Sequence, residues 1–479
     1  MPLPVEGFEI SEIRPLRMGH RRELFLDRTI IGGLTGTARL RLHRPTPREI
    51  VLVHDAPWEG NTCGYATIFR DAQYGNTYRM VYRGSGTDAS GEHAAHRPVT
   101  CYAESLDGIQ WTKPNLGLHS FQGSTQNNIL WDGPGSHNFT PFQDTNPDCP
   151  PTARYKAVGG IPADGGLFAF ASPDGIHWSR LQERPIMTEG TFDSQNLAFW
   201  DQLQGEYRAY IRDFRKADGT GGDYTGVRDI KTCTSADFVH WSPPEWLHYN
   251  VAGKLYGPAT PSPDAHLYTN QILPYARAPH IFLGFPTRFQ PHRESLTEGL
   301  LMSSRDGQRF DRWDEALIPP GSNPERWHNR SNYIWWGLVE TASATPGAPA
   351  ELSLYANEHY YKAGAVRIRR FTTRLDGFVS VRADHASGEL LTKPLIFEGR
   401  HLELNVATSA AGDVRVEIQR PNGRPFDGFS LEASECFYGD APDHVVRWEN
   451  GADVSALAGQ TVRVRIVLRD ADVYAMHFV

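Results

Sequence analysis

The chain has 479 residues, more than one ordinary domain holds, and its 45 glycines, 34 prolines and 11% aromatics suit many short strands and turns better than long helices. A formal charge of −8 at pH 7 and a pI near 6.2 show no basic excess, which argues against a nucleic-acid partner. Mean hydropathy is −0.48 and no apolar run reaches the length of a membrane span, so no membrane partner is expected.

The opening stretch, MPLPVEGFEISEIRPLRMG, lacks the apolar core of an export signal, so the chain as given is expected in the cytoplasm. Cys63, Cys101, Cys149, Cys233 and Cys436 are odd in number, scattered and without a C-x-x-C pair. That pattern points to reduced thiols rather than a disulfide framework or a structural zinc. From Glu23, ELFLDRTII reads as a strand leading into the first of several similar units, with Asp27 as a surface or turn acid.

Those units are marked by a recurring heptapeptide: SLDGIQW at 105–111, SPDGIHW at 172–178, SADFVHW at 235–241, SRDGQRF at 304–310, and a fainter RLDGFVSV from Arg374. Its aspartates, Asp107, Asp174, Asp237, Asp306 and Asp376, are spaced by 67, 63, 69 and 70 residues, the near-constant period of a repeated structural unit. Chemically the motif is a turn, because a short polar side chain bonds the following amides and Gly supplies positive φ. Three alternating strands precede each turn. In the first unit they are GYATIFRD, TYRMVYRG and TCYAES, and the later units match. Four antiparallel strands repeated five times predict an all-β chain: a five-bladed β-propeller over residues 1–383 with its N-terminal lead-in. Beyond it the alternating runs HLELNVAT, DVRVEIQR, VVRWEN and TVRVRIVL lack the turn motif and predict a C-terminal β-sandwich over 384–479.

A ligand of such a ring is expected at one mouth, where the inner strands converge. In a hairpin, the start of strand one and the end of strand two share a rim, opposite the turns between strands three and four. The rule selects Trp58, Glu59, Asn61, His137, Asn138, Asp193, Asn196, Tyr268, Asn270, Arg330 and Asn332 at strand-one starts. At strand-two ends it selects Arg83, Arg212, Asp213, Arg288, Asn357 and Glu358, while Glu340 falls at the far rim. Four carboxylates, Glu59, Asp193, Asp213 and Glu358, are thereby expected at one opening. Cleavage of a glycoside needs one protonated and one ionised carboxyl, whose pKa values neighbouring charge and burial separate. The expected roles are Asp193 as nucleophile or base, Glu59 or Glu358 as acid, and Asp213 as a charge stabiliser kept ionised by Arg212. Amides, arginines and His137 would serve sugar hydroxyls, with Trp58, Tyr268 or Trp335 stacking on a ring face.

The SxDGxxW turns, the YRMVYRG second strand and the C-terminal strands resemble the five-bladed propeller glycoside hydrolases, the group that includes families 32, 43, 62, 68 and 117. The resemblance implies hydrolysis or transfer of furanosidic sugars, chiefly fructofuranosides and arabinofuranosides, and sets Arg212-Asp213 beside the Arg-Asp pair of the fructosidases. The chain departs from that pattern: Phe214 stands where a Pro follows Arg-Asp, and neither a Trp-x-x-Asp-Pro-Asn-Gly sequon nor a Glu-Cys pair is present. The function expected is thus a glycosidase or transglycosidase on an oligosaccharide, with a non-catalytic carbohydrate-binding propeller as the alternative. No cofactor is expected, a calcium or other channel ion being left open, as are stereochemistry and oligomeric state.

Overall fold

The computed structural model describes residues 14–479 apart from 89, 92, 217, 258–265 and 363. Much of the opening stretch read for an export signal therefore lies outside the described residues. The chain is all-β and divides into two compact units, Pro45–Thr373 and Met1–Arg44 with Arg374–Val479. The expected boundary at 383 is corrected, because the first strands do not lead into the repeats. Glu23–Leu24 pairs with the last strand, Thr461–Phe478, and Leu16–Gly19 pairs with Leu395–Phe397. Backbone pairing decides this, and periodicity within a short strand does not name its partner.

In the larger unit, the first three sheets each consist of four antiparallel strands in chain order. The first sheet is Gly64–Asp71, Thr77–Gly84, Val99–Ser105 and Ile129–Trp131, and the second is Thr140–Gln143, Tyr155–Gly159, Phe168–Ser172 and Ser179–Arg180. The third is Leu197–Asp201, Glu206–Arg215, Val227–Ser235 and Glu245–Trp246. The fourth contains Ile272–Tyr275, Ala278–Gly284, Met302–Ser304 and Arg309–Arg312, extended by His248–Val251 and Lys254–Tyr256. A small separate sheet, His266–Leu267, Thr287–Gln290 and Leu296–Gly299, stands between strands of the fourth in sequence. The fifth joins Val339–Thr341, Glu351–Glu358 and Arg367–Arg374 to Thr46–Val53, so its outer strand comes from the start of the unit.

The recurring heptapeptide forms the same turn four times. In the first copy the Gly108 amide donates to Ser105 Oγ at 2.9 Å, and the amides of Ile109 and Gln110 donate to Asp107 Oδ1 at 2.7 and 2.8 Å. Trp111 Nε1 closes the turn onto the Gly108 carbonyl at 3.1 Å. Asp174, Asp237 and Asp306 repeat the aspartate bonds. The fifth copy does not. Asp376 lies in the other unit, 3.3 Å from Arg22 Nη1, and the fifth sheet has no hairpin between its last two strands to carry such a turn.

Buried hydrogen bonds tie the starts of the five sheets together. Gln195 Nε2 donates to the Ala66 carbonyl at 3.0 Å and to Thr67 Oγ1 at 3.1 Å, and Gln195 Oε1 accepts from Gln271 Nε2 at 2.8 Å. Trp336 bridges Ala66 and Ile68 through its backbone, and its Nε1 donates to the Ile272 carbonyl at 2.9 Å. Asn138 Nδ2 donates to the Phe192 and Ser194 carbonyls, both at 2.7 Å, while Ser194 Oγ donates to the Tyr268 carbonyl at 2.7 Å. The apolar side chains beneath, among them Leu197, Ala209, Ile230, Ile272 and Met302, pack between neighbouring sheets.

The second unit is built on Leu402–Gln419 and Thr461–Phe478, each of 18 residues and paired along most of their length. Their inward residues, including Leu404, Val416, Val464, Ile466 and Leu468, share one core with Phe25, Val381 and Trp448.

Replacing Gln195 by Ala is expected to lower unfolding stability by about 1–3 kcal/mol, since it strands the Gln271 amide away from water and leaves the Ala66 carbonyl with the Trp336 amide as its remaining donor. Urea denaturation checks it. A variant within about 0.5 kcal/mol of wild type contradicts the structural weight given to that amide.

Candidate functional site

At the strand-one ends of the larger unit, charged and aromatic side chains converge on Asp193. Its Oδ1 lies 3.3 Å from His137 Nε2 and its Oδ2 lies 3.3 Å from Arg212 Nη2, with the side chain 36% exposed. Burial raises the Asp193 pKa, but the bond to His137 and the charges of Arg212 and Arg83 outweigh it and hold the carboxyl below its usual range. His137 Nε2 also lies 3.2 Å from Arg83 Nη1. Burial, and then the Arg83 charge, hold the imidazole below its usual pKa against the pull of Asp193. One nitrogen thus faces a donor and an acceptor: as a lone pair it accepts from Arg83, and protonated it donates to Asp193.

Aromatic rings form the walls. Arg83 covers the Tyr65 ring at 4.4 Å and donates to Tyr360 Oη at 2.7 Å. Tyr65 meets Trp335 at 6.2 Å, Trp335 meets Tyr333 at 5.6 Å, and Tyr333 meets Tyr268 at 5.3 Å. The guanidinium groups of Arg212, Arg228 and Arg330 lie 5.4, 5.0 and 5.9 Å from the Tyr268 ring. Tyr65 and Arg330 both hold positive φ, at 51° and 54°, the kind of backbone strain found where structure over-determines a residue. A cavity of about 200 Å³, lined by Arg97, Ser136, His137, Ile161 and Asp164 among others, opens beside His137.

The other three expected acids do not join Asp193. Glu59 is fully buried, accepting from Tyr82 Oη at 2.5 Å, Lys113 Nζ at 2.6 Å and the Ala56 amide at 3.0 Å. Burial raises its pKa, but His54 and Lys113 pull it down to about 2, so it holds no proton to give a leaving group at neutral pH. Glu358 is clasped by Arg369 at 2.6 and 3.2 Å, with Arg326 at 3.6 Å. Asp213 points away from Arg212, because neighbouring strand residues face opposite sides, and bonds Lys231 Nζ at 2.8 Å and the amides of Phe214 and Gly222. The pair expected between Arg212 and Asp213 is therefore a pair between Arg212 and Asp193.

Of the expected binding residues, Arg83, His137, Arg212, Tyr268 and Trp335 belong to this cluster. Asn138, Asn196, Asn270 and Asn332 are buried with their amides spent within the scaffold: Asn196 Oδ1 accepts from the Arg212 amide at 3.0 Å, while Asn332 Nδ2 donates to the Arg326 carbonyl at 3.0 Å and its Oδ1 accepts from Arg326 Nε at 2.7 Å. Asn61 bonds Thr87, and Trp58 Nε1 donates to Asn128 at 2.7 Å. Arg288 pairs with Glu298 and Asp314, leaving its neighbour Phe289 to meet Tyr268 at 5.5 Å. Glu340 stands beside Tyr78, which is opposite Ser105 and so near the heptapeptide rim, as expected. Tyr65, Arg228, Tyr333 and Tyr360 were not selected from sequence. Arg228 pairs across the sheet with Phe214, so extending the hairpin rule to strand-three starts finds it.

Among the described residues no group of three or more His, Cys, Asp or Glu side chains gathers to hold a metal, and no helix is long and apolar enough to cross a membrane. All five cysteines are free thiols.

No family model and no curated protein matches the sequence. The structure is similar to several solved glycoside hydrolases. One, titled "Glycoside hydrolase", aligns at TM-score 0.44 and 13% identity, covering 71% of this chain and 93% of the other. A family 117 glycoside hydrolase of Zobellia galactanivorans, from one of the families named by the sequence resemblance, aligns at TM-score 0.36 and 11% identity over 70% and 90%. An N-acetylgalactosamine deacetylase from F. plautii aligns at TM-score 0.42 and 13% identity over 70% and 95%. None of these likenesses assigns this chain an activity.

The depressed pKa of Glu59 has a measurable consequence. Its folded value of about 2 lies below the unfolded value of 4.5, so its contribution is present above pH 4.5 and lost as pH falls toward 2. The shift corresponds to about 3 kcal/mol. Wild type and Glu59→Gln are expected to differ in urea stability at pH 7 and to converge between pH 4.5 and 2.5. A pH-independent difference contradicts the ionised, ion-paired state.

Proposed function

We propose that the larger unit is a five-bladed β-propeller with glycosidase or transglycosidase activity at the Asp193 end, and that the second unit is a β-sandwich. The propeller reading is supported by the hydrogen bonds linking the starts of five sheets and by the fifth sheet taking its outer strand from the start of the unit. The observation that carries the activity is a single half-buried, ionised carboxylate set between a histidine and an arginine on an aromatic wall. Asp193 is the proposed nucleophile, or base for water, and the group whose charge stabilises an oxocarbenium-like transition state. His137 is the proposed proton carrier: its neutral Nε2, favoured by burial and Arg83, takes up the proton that Asp193 removes from the attacking water, and the imidazolium gives it to the leaving-group oxygen. The substrate proposed is a furanosidic oligosaccharide such as a fructofuranoside or arabinofuranoside, and the proposed reaction uses no cofactor.

One observation favours the non-catalytic alternative: Glu59, Asp213 and Glu358 are committed to ion pairs, and Asp164 beside His137 accepts from the amides of Gly135 and Ile161. A screen of aryl glycosides and fructose- or arabinose-containing oligosaccharides separates the two readings. Turnover that falls about 100-fold or more in Asp193→Asn, and in folded Glu358→Gln keeps its kcat, is the expected result. Sugar binding without turnover selects the binding module, and activity that survives Asp193→Asn removes the assignment.

A further inference from the structure

We propose that the side-chain cluster around Asp193 takes an anionic sugar residue, bearing a carboxylate or a sulfate ester, held by Arg212, Arg228 and Arg330. The sugar rests on the function proposed above; the anionic group rests on the following geometry. Buried or half-buried arginines elsewhere in this unit are met by acids: Arg79 by Asp71, Arg215 by Asp229, Arg288 by Glu298, Arg369 by Glu358 and Arg370 by Glu49. Around Tyr268 that pattern breaks. Arg212 shares Asp193 with His137, and among the described residues neither Arg228 nor Arg330 lies within ion-pair distance of a carboxylate. Both nonetheless cover Phe289, at 4.6 and 5.6 Å, as well as Tyr268.

The donors of this group are also unmatched. The Arg212 side chain is 1% exposed, yet its Nε and Nη1 are buried without a hydrogen-bond partner, as are Nε of Arg228, Nε of Arg330, Trp335 Nε1 and Tyr333 Oη. Buried N–H groups without acceptors cost about 1–3 kcal/mol each, and crowded like charges add repulsion. Arg228 shows that crowding: burial, and after it the charges of Arg212 and Arg330, hold its guanidinium below the usual range against the pull of Tyr268. A cluster rich in donors and short of acceptors is complementary to an acceptor-rich anion. The planar guanidinium fork binds carboxylate or sulfate oxygens in pairs.

The test is calorimetric titration of the full chain with matched monosaccharides: glucuronate and galacturonate, their 6-sulfated neutral counterparts, and the unmodified glucose and galactose. An anionic sugar is expected to bind at least tenfold more tightly than its neutral parent, with affinity falling as salt rises. The carboxylate and sulfate arms distinguish the two sources. In Arg228→Gln with Arg330→Gln the preference is expected to drop below about threefold while the circular dichroism spectrum stays that of wild type. The wild-type comparison stands even where the double variant does not fold. Equal affinity for neutral and anionic sugars, no binding of any anionic sugar at millimolar concentration, or a preference that survives in the folded double variant overturns the proposal. Because binding is read rather than turnover, an inactive protein that prefers uronate or sulfated sugar fails only the glycosidase reading. Turnover of neutral furanosides without an anion preference fails only this one.

Discussion

The larger unit depends on satisfying the backbone groups where its five sheets begin. These ends are buried, and a buried carbonyl or amide without a partner is costly, so each must find a bond outside its own sheet. Gln195 and Asn138 meet this demand with side-chain amides that donate two or three bonds each. Trp336 meets it with backbone and indole together. The conformations are correspondingly tight. Tyr65, Phe192, Gln271 and Asn332 all hold positive φ at these ends, and a Cβ at Gly337 would fall 2.0 Å from the Ile68 carbonyl.

That demand shapes the site above it. Asparagines suited by chemistry to sugar hydroxyls are consumed by the scaffold, as Asn138, Asn196 and Asn332 show, leaving charged and aromatic groups to meet a ligand. Among these, acids are scarce for the same reason of burial. Glu59 and Glu358 are driven into tight pairs with Lys113 and Arg369. Asp193 keeps part of its surface in solvent, and its neighbours retain an excess of positive charge. The chemistry proposed for the site follows from this imbalance more than from any paired carboxylates.

Much of the architecture was legible in the residues themselves. Alternation in GYATIFRD, TYRMVYRG and EYRAYIRDF marks strands because side chains in a strand point alternately to two faces. The Ser-x-Asp turn is legible because its hydrogen bonds are local, spanning two or three residues. The copy at Asp376 misleads for the same reason: a short motif does not carry the identity of the unit it joins. The hairpin rule brought His137, Asp193 and Arg212 to one end, yet failed to say which side of the strand each faces. Arg212 faces Asp193 while Asp213 faces Lys231 on the opposite side of the strand, and Phe289 rather than Arg288 meets Tyr268.

The sequence by itself determined the all-β character, the strand segments of the repeats, the four heptapeptide turns and the end of the larger unit at which Asp193 gathers its partners, since all of these arise from local periodicity and short-range bonding. Only the tertiary structure decided that Thr46–Val53 completes the fifth sheet, that Glu23–Leu24 joins the last strand, and that Glu59, Asp213 and Glu358 are consumed by ion pairs. Those outcomes depend on contacts between residues far apart in the chain, where which partner is buried beside which charge is a property of the packed whole.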